Sequence, residues 1–198
     1  MTIKDKVVLI SGAGKGAGAA LARTLAYKGA RVAANDISPV NVVEVVNDVV
    51  RKGGNAQAFI ADIAKKVAVQ ALLKEVEETF GGIDVLISHA AVKPTDSLLN
   101  MDEWDWQRTL DVNLTGAFLM TQSMGRMMRE RGGGTIINIV DPVDGEEKMK
   151  GAYFSSMAGL MELTRQTELE LGQLGIQVHL VMNTSEAEVD DLVINILA

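Results

Sequence analysis

The sequence predicts an α/β fold, a doubly wound parallel sheet of about six strands with helices on both faces. Three observations predict it. Short apolar runs such as Val7–Ile10 recur along the chain, as strands buried on both faces require. Longer stretches between them carry apolar residues three and four apart, the helical period. Glycines fall at the junctions, where turns are needed.

Each element follows in order. Val7–Ile10 reads as the first strand, Gly12–Gly18 as a glycine-rich turn, and Ala19–Tyr27 as a helix stopped at Gly29. Arg31–Asn35 is the second strand. Ser38 and Pro39 then open a helix, with Ser as N-cap and Pro at the first helical position. That helix carries Val42, Val45, Val46, Val49 and Val50, and ends at Gly53–Gly54. Its valines favour a strand locally, but their spacing favours a helix. Ala56–Ile60 is the third strand, Lys65–Phe80 a helix closed by Gly81–Gly82, and Ile83–Ser88 the fourth strand. Met101–Arg131 reads as one long helical region, with Asp102 near its start and Gly132–Gly134 after it. Thr135–Val140, Ala152–Gln173, Ile176–Met182 and Glu186–Ala198 complete the alternation as strand, helix, strand and helix. No repeat or linker interrupts it, so residues 1–198 read as a single domain.

Composition narrows the function. The chain is 47% hydrophobic and 23% charged with 3 prolines, which excludes a disordered chain. Its net charge is −7 and its basic residues lie scattered among acids, which argues against nucleic acid as a partner. There is no cysteine, hence no thiolate metal site and no cysteine nucleophile. His89 and His179 lie far apart without a third ligand at suitable spacing, so no metal site is expected. No apolar run approaches about 18 residues, so no membrane span is expected. The opening "MTIKDKVVLI" lacks the pattern of a signal peptide, and the expectation is a cytoplasmic protein.

The segment "SGAGKGAG", Ser11–Gly18, lies between the first strand and the first helix. It is no Walker loop, because Lys15 is followed by Gly16 rather than Ser or Thr. Its glycines suit a tight turn and close backbone approach to a pyrophosphate held on a helix N-terminus. A plain strand–helix turn would use them too. Asp36 ends the second strand about twenty residues on, where a carboxylate accepts hydrogen bonds from an adenosine ribose. That carboxylate repels a 2′-phosphate and so favours NAD over NADP; Lys15 argues the other way, more weakly. Asp36 could also be a helix-capping acid.

These spacings, over nearly the whole chain, resemble the short-chain dehydrogenase/reductase family. Ser11, Gly12, Gly14, Lys15, Gly16 and Gly18 resemble its TGxxxGxG loop, with Ser for Thr. "IADI" resembles the segment whose acid, here Asp62 beside Ile63, contacts the adenine. "LDVNLTG" resembles the segment carrying the catalytic Asn, here Asn113. "GTIINIV" resembles the strand before the catalytic Ser, and "AYFSSM" resembles YxxxK with Tyr153 as its Tyr. The resemblance implies a Rossmann-like sheet in the order 3-2-1-4-5-6 and a bound nicotinamide dinucleotide, with Ser88 and Ala90 among its contacts. It further implies an alcohol or ketone substrate, and a homodimer formed through the 102–131 and 152–173 helices. The row Met120, Met124, Met127 and Met128 on the first of these reads mostly as core, though Met also suits adaptable interfaces.

The departures from the family are specific. Its Lys position holds Met157 and its Ser position Asp141. The usual NNAG reads Ser88-His89-Ala90-Ala91, and after the sixth strand Asn183-Thr184 stands in place of Pro-Gly, with His179 at the position of an Asn. The usual substrate lid and last strand are missing or nearly so. A phenol titrates near 10 unaided, and Met157 gives Tyr153 no cation. If Asp141 points inward, a phenolate about 4 Å from it costs about 4 kcal/mol at an effective dielectric near 20. Losing tuned proton transfer typically costs about 10²–10⁴ in rate. The expectation is an NAD(H)-binding relative with little or no conventional activity. One alternative is an active atypical NAD-dependent oxidoreductase using Tyr153, with Lys148 or Lys150 supplying a cation, or Asp141 acting as an acid if burial raised its pKa. A second is a non-catalytic oligomer subunit or regulator.

Overall fold

The computed structural model describes residues 3–143 and 147–198. Its six strands are β1 (Val7–Ser11), β2 (Arg31–Asp36), β3 (Asn55–Ile60), β4 (Val85–Ser88), β5 (Gly134–Val140) and β6 (Ile176–Met182). They form one sheet in the order β3-β2-β1-β4-β5-β6. All pairings are parallel, with Ser11 opposite both Asn35 and Ser88. The chain leaves β1 toward β2 on one side and returns to β4 on the other, so a crevice opens at the carboxyl ends of β1 and β4. Open α/β sheets bind ligands at this switch point.

Among the described residues seven α-helices cover the sheet: α1 (Gly16–Tyr27), α2 (Pro39–Arg51), α3 (Lys66–Phe80), α4 (Glu103–Leu110), α5 (Ala117–Glu130), α6 (Gly151–Leu171) and α7 (Glu186–Leu197). The strand period of two sorts β1 between two cores. Val8 and Ile10 join Leu21 and Leu25 of α1, Val42, Val45 and Val49 of α2, and Val189 and Val193 of α7. Val7 and Leu9 join Leu72 and Leu73 of α3 and Met120, Met124 and Met128 of α5. Those three methionines are wholly buried, while Met127 is only partly so. Most of the methionine row is therefore core.

Several boundaries differ from the sequence reading. α1 begins at Gly16, not Ala19, so the end of the glycine segment is already the first turn of the helix. β4 begins at Val85, not Ile83. Ser38 does cap α2 and Pro39 does stand at its first position, but Val50 is 54% exposed and lies off the buried stripe. The region 101–131 is not one regular helix: α4 and α5 are joined by a π-helical segment, Asp111–Gly116. Asp102 caps α4 by accepting a hydrogen bond from the Trp104 N–H at 2.7 Å. α6 ends at Leu171, and a single 3₁₀ turn carries the chain toward β6.

Asn183, Thr184 and Ser185 alone join β6 to α7. α7 docks on α1, where the Thr24 hydroxyl donates to Asp190 Oδ2 at 2.6 Å. Among the described residues no helix is long and apolar enough to cross a membrane.

Candidate functional site

The crevice at the switch point is a cleft of about 430 Å³ that runs from Asp36 and Lys15 at one end to Tyr153 and Asp141 at the other. The glycine segment forms its floor. Gly12 has φ +71°, a left-handed conformation, and a Cβ there would lie 2.6 Å from Ala90 Cα. A Cβ on Gly18 would lie 2.3 Å from the Gly12 carbonyl oxygen. Loop, helix and β4 end are thus in backbone contact, which only glycine permits. Ser11 tightens the junction, its hydroxyl accepting from the His89 and Ala90 N–H groups at 3.2 and 3.4 Å. His89, a residue the sequence reading left without a role, lines the cleft with Nδ1 3.3 Å from the Gly12 carbonyl oxygen. Burial pushes its imidazole below the ordinary pKa, so it stands neutral. The Ser88 hydroxyl is buried and finds no partner among the described residues.

At the Asp36 end the carboxylate is oriented by backbone amides. Oδ2 accepts from Gly14 N–H at 3.0 Å and Oδ1 from Ser38 N–H at 2.9 Å. Each oxygen keeps a further lone pair for a ligand hydroxyl. The first turn of α1 carries no acidic side chain, and exposed Lys15 stands at its N-cap, so this helix end suits an anion. Beside Asp36 a smaller cavity of about 100 Å³ is lined by Asp62, Ile63, Ala90 and Val112. Asp62 does not stand free there. Arg108 donates to both of its oxygens at 3.0 and 3.4 Å, and Ala64 N–H adds a third bond at 3.1 Å. Arg108 was not foreseen, since one arginine on an exposed helix carries no pattern.

At the other end Asp141 points into the cleft. Its Oδ1 accepts from Asn183 Nδ2 at 2.7 Å and its Oδ2 from Lys93 Nζ at 3.1 Å. Tyr153 lines the same end of the cleft, where the Asp141 charge acts on its phenol. Burial pushes the Asp141 pKa up, but the neighbouring Tyr153, Asn183 and Lys93 outweigh it and hold the group below the ordinary carboxylate range. This corrects the idea that burial would make Asp141 an acid at neutral pH. Burial first, and then the Asp141 charge, push the Tyr153 phenol far above its usual range. Tyr153 is 4% exposed and Met157 2%, and the two pack together with Ala117, Val140 and Leu160.

The cation near Tyr153 is Lys93, not the lysines expected. Its Nζ lies 4.7 Å from the centroid of the Tyr153 ring. Lys150 is held by Glu147 at 2.6 Å, and Lys148 is exposed. Lys93 sits in an irregular segment after β4, where no periodicity marks a residue as inward-facing. Asn113 lies beneath this segment rather than on the cleft. Buried to 1% exposure, it accepts from Val92 N–H at 2.8 Å and donates to the Val92 carbonyl at 3.0 Å and to Ser156 Oγ at 2.9 Å. The π-helical segment that carries it is a frequent feature of functional sites.

A profile of the short chain dehydrogenase family matches residues 6–185. The chain belongs to that family. Among its relatives is the BbsD subunit of (2S)-[(R)-hydroxy(phenyl)methyl]succinyl-CoA dehydrogenase from Thauera aromatica, 35% identical over 181 residues, which are 91% of this chain and 73% of that protein. A metagenomic short-chain oxidoreductase solved in complex with NADP superposes with a TM-score of 0.93 at 28% identity, covering 100% of this chain and 92% of that one. An NAD+-bound xylitol dehydrogenase superposes with a TM-score of 0.85 at 28% identity, covering 91% and 70%. The fold of the family therefore holds either nicotinamide dinucleotide. In this member the Asp36 end fits such a group, with close backbone, a carboxylate and a helix N-terminus. The Tyr153 end differs in charge, since a carboxylate and a methionine stand in the two exchanged positions.

Proposed function

We propose that this short chain dehydrogenase relative binds NAD(H) in the cleft and has little or no conventional dehydrogenase or reductase activity. Ser11, Gly12, Gly14, Lys15, Gly16 and Gly18 cradle the pyrophosphate, Asp36 takes the adenosine ribose, Asp62 takes the adenine, and Ile63, Ser88 and Ala90 are among the further cofactor contacts. Asp36 is the reason for choosing NAD over NADP, because its charge faces the place a 2′-phosphate would occupy. When bound, the dinucleotide supplies a hydride donor or acceptor; the chain must supply the proton. The observation that carries the reading is the placing of Asp141. Burial and the charge of its carboxylate beside the Tyr153 phenol both disfavour the phenolate, and Met157 offers no cation to offset them. Asn113 supports the site through Val92.

In this reading the protein is cytoplasmic and residues 1–198 form one dinucleotide-binding domain, with only Asn183–Ser185 between β6 and α7 where the usual lid would stand. It works as a homo-oligomer through the 102–131 and 152–173 helices. A cavity of about 340 Å³ between α5 and α6, with Phe118 and Leu174 each 41% exposed, supports that face as the contact.

The test is turnover. Native protein with saturating NADH is expected to stay at background over a broad carbonyl panel, and Asp141→Ser with Met157→Lys to rise above it. Native turnover well above background would sink the reading. A double variant that stays at background would put the limiting loss in the missing lid.

A further inference from the structure

The reading above uses the ammonium of Lys93 only as a partner of Asp141. Its position is nonetheless fixed with care. Val92, the residue before it, has both its N–H and its carbonyl held by Asn113, which is buried and tied to Ser156 on α6. The backbone is therefore pinned one residue short of the side chain, and the ammonium reaches the cleft from a rigid base. There it lies 3.1 Å from Asp141, 4.0 Å from Glu147 and 4.7 Å from the Tyr153 ring centroid. Glu147 is already taken by Lys150 at 2.6 Å, so Asp141 is the anion that Lys93 neutralises. The charged groups around Tyr153 among the described residues are thus Lys93, Asp141, Glu147 and Lys150, two of each sign, with His89 neutral nearby.

A cation within about 4–6 Å of a phenol favours its ionised form unless another charge cancels it. Here Asp141 does so by pairing with the ammonium at 3.1 Å, and its own charge opposes a phenolate beside it. We propose that Lys93 is the latent cation of this site, placed to stabilise a Tyr153 phenolate and withheld from it by Asp141. The inference deepens the proposed function and rests on the same placing of Asp141 and Tyr153 at one end of the cleft. It does not need the nucleotide. Lys93 is a positioning residue, acting on Tyr153 through charge alone.

The experiment is a spectroscopic titration of Tyr153. The chain has 2 tyrosines, so Tyr27→Phe leaves Tyr153 as the sole phenol whose ultraviolet absorbance reports ionisation. In that background Asp141→Asn is expected to bring the phenolate midpoint down into the range where the protein stays folded by circular dichroism. Adding Lys93→Met is expected to raise it again by about one to three pH units. Coincident midpoints with and without Lys93 overturn the inference, as does an Asp141→Asn chain that shows no phenolate before it unfolds. If Asp141→Asn fails to fold, Asp141→Ser serves the same comparison. NADH binding by the same chains is read separately: its absence would remove the nucleotide reading, while the two midpoints still decide the role of Lys93.

Discussion

Asp141 shows how one side chain redirects a site. A serine there would be neutral; a carboxylate sets a negative charge at the same end of the cleft as the buried Tyr153 phenol. The consequence extends to stability. Because the Tyr153 pKa is raised in the folded state, the folded chain keeps the proton above 10.0 while the unfolded chain releases it. The stabilisation is present below 10.0 and is lost as pH rises past it. Tyr153→Phe is expected to flatten the fall in urea midpoint above that pH relative to the native protein; an unchanged slope would show that folding does not raise the phenol's pKa. The exchanges at Asp141 and Met157 were legible in the sequence because the motifs around them are dense. Lys93 was not. It lies in an irregular segment, and its proximity to Tyr153 depends on the clamp that Asn113 makes across a sequence separation of 21 residues.

At the scale of elements the glycine segment carries the sharpest prediction. Gly18 lies inside α1, where Ala would be favoured by about 1 kcal/mol on helix propensity alone. The added Cβ, however, would stand 2.3 Å from the Gly12 carbonyl oxygen and 2.7 Å from His89 Nδ1. Backbone cannot give way as a flexible side chain can, and overpacking of this kind costs about 1–3 kcal/mol. The clash wins. Gly18→Ala is expected to lower thermal stability and weaken NADH binding; a more stable variant with unchanged binding would contradict the packing described here. Strands, helices and the α2 cap were readable from period and capping residues. The start of α1 was not, because glycines that look like turn breakers also form its first turn. Nor was the π-helical segment 111–116, whose apolar spacing merges with the regular helices on either side.

For the whole molecule the parallel sheet and its crevice were legible, since every short apolar run found its place and the strand order is the one the resemblance implied. The assembly is a prediction. Phe118→Glu on α5 is expected to shift sedimentation toward the monomer while leaving NADH affinity unaltered, because Phe118 lies away from the cleft lining. A variant that sediments as the native protein does would place the contact elsewhere. The central claim, a retained nucleotide cleft whose proton-transfer end is closed by a carboxylate, depends first on whether the cleft takes the nucleotide. The most direct measurement is a calorimetric titration with NADH and NADPH in parallel, cross-checked by energy transfer from Trp104 and Trp106. NADH is expected to bind in the micromolar range and NADPH more weakly; binding of neither, or a preference for NADPH, would contradict a cleft kept for NAD(H).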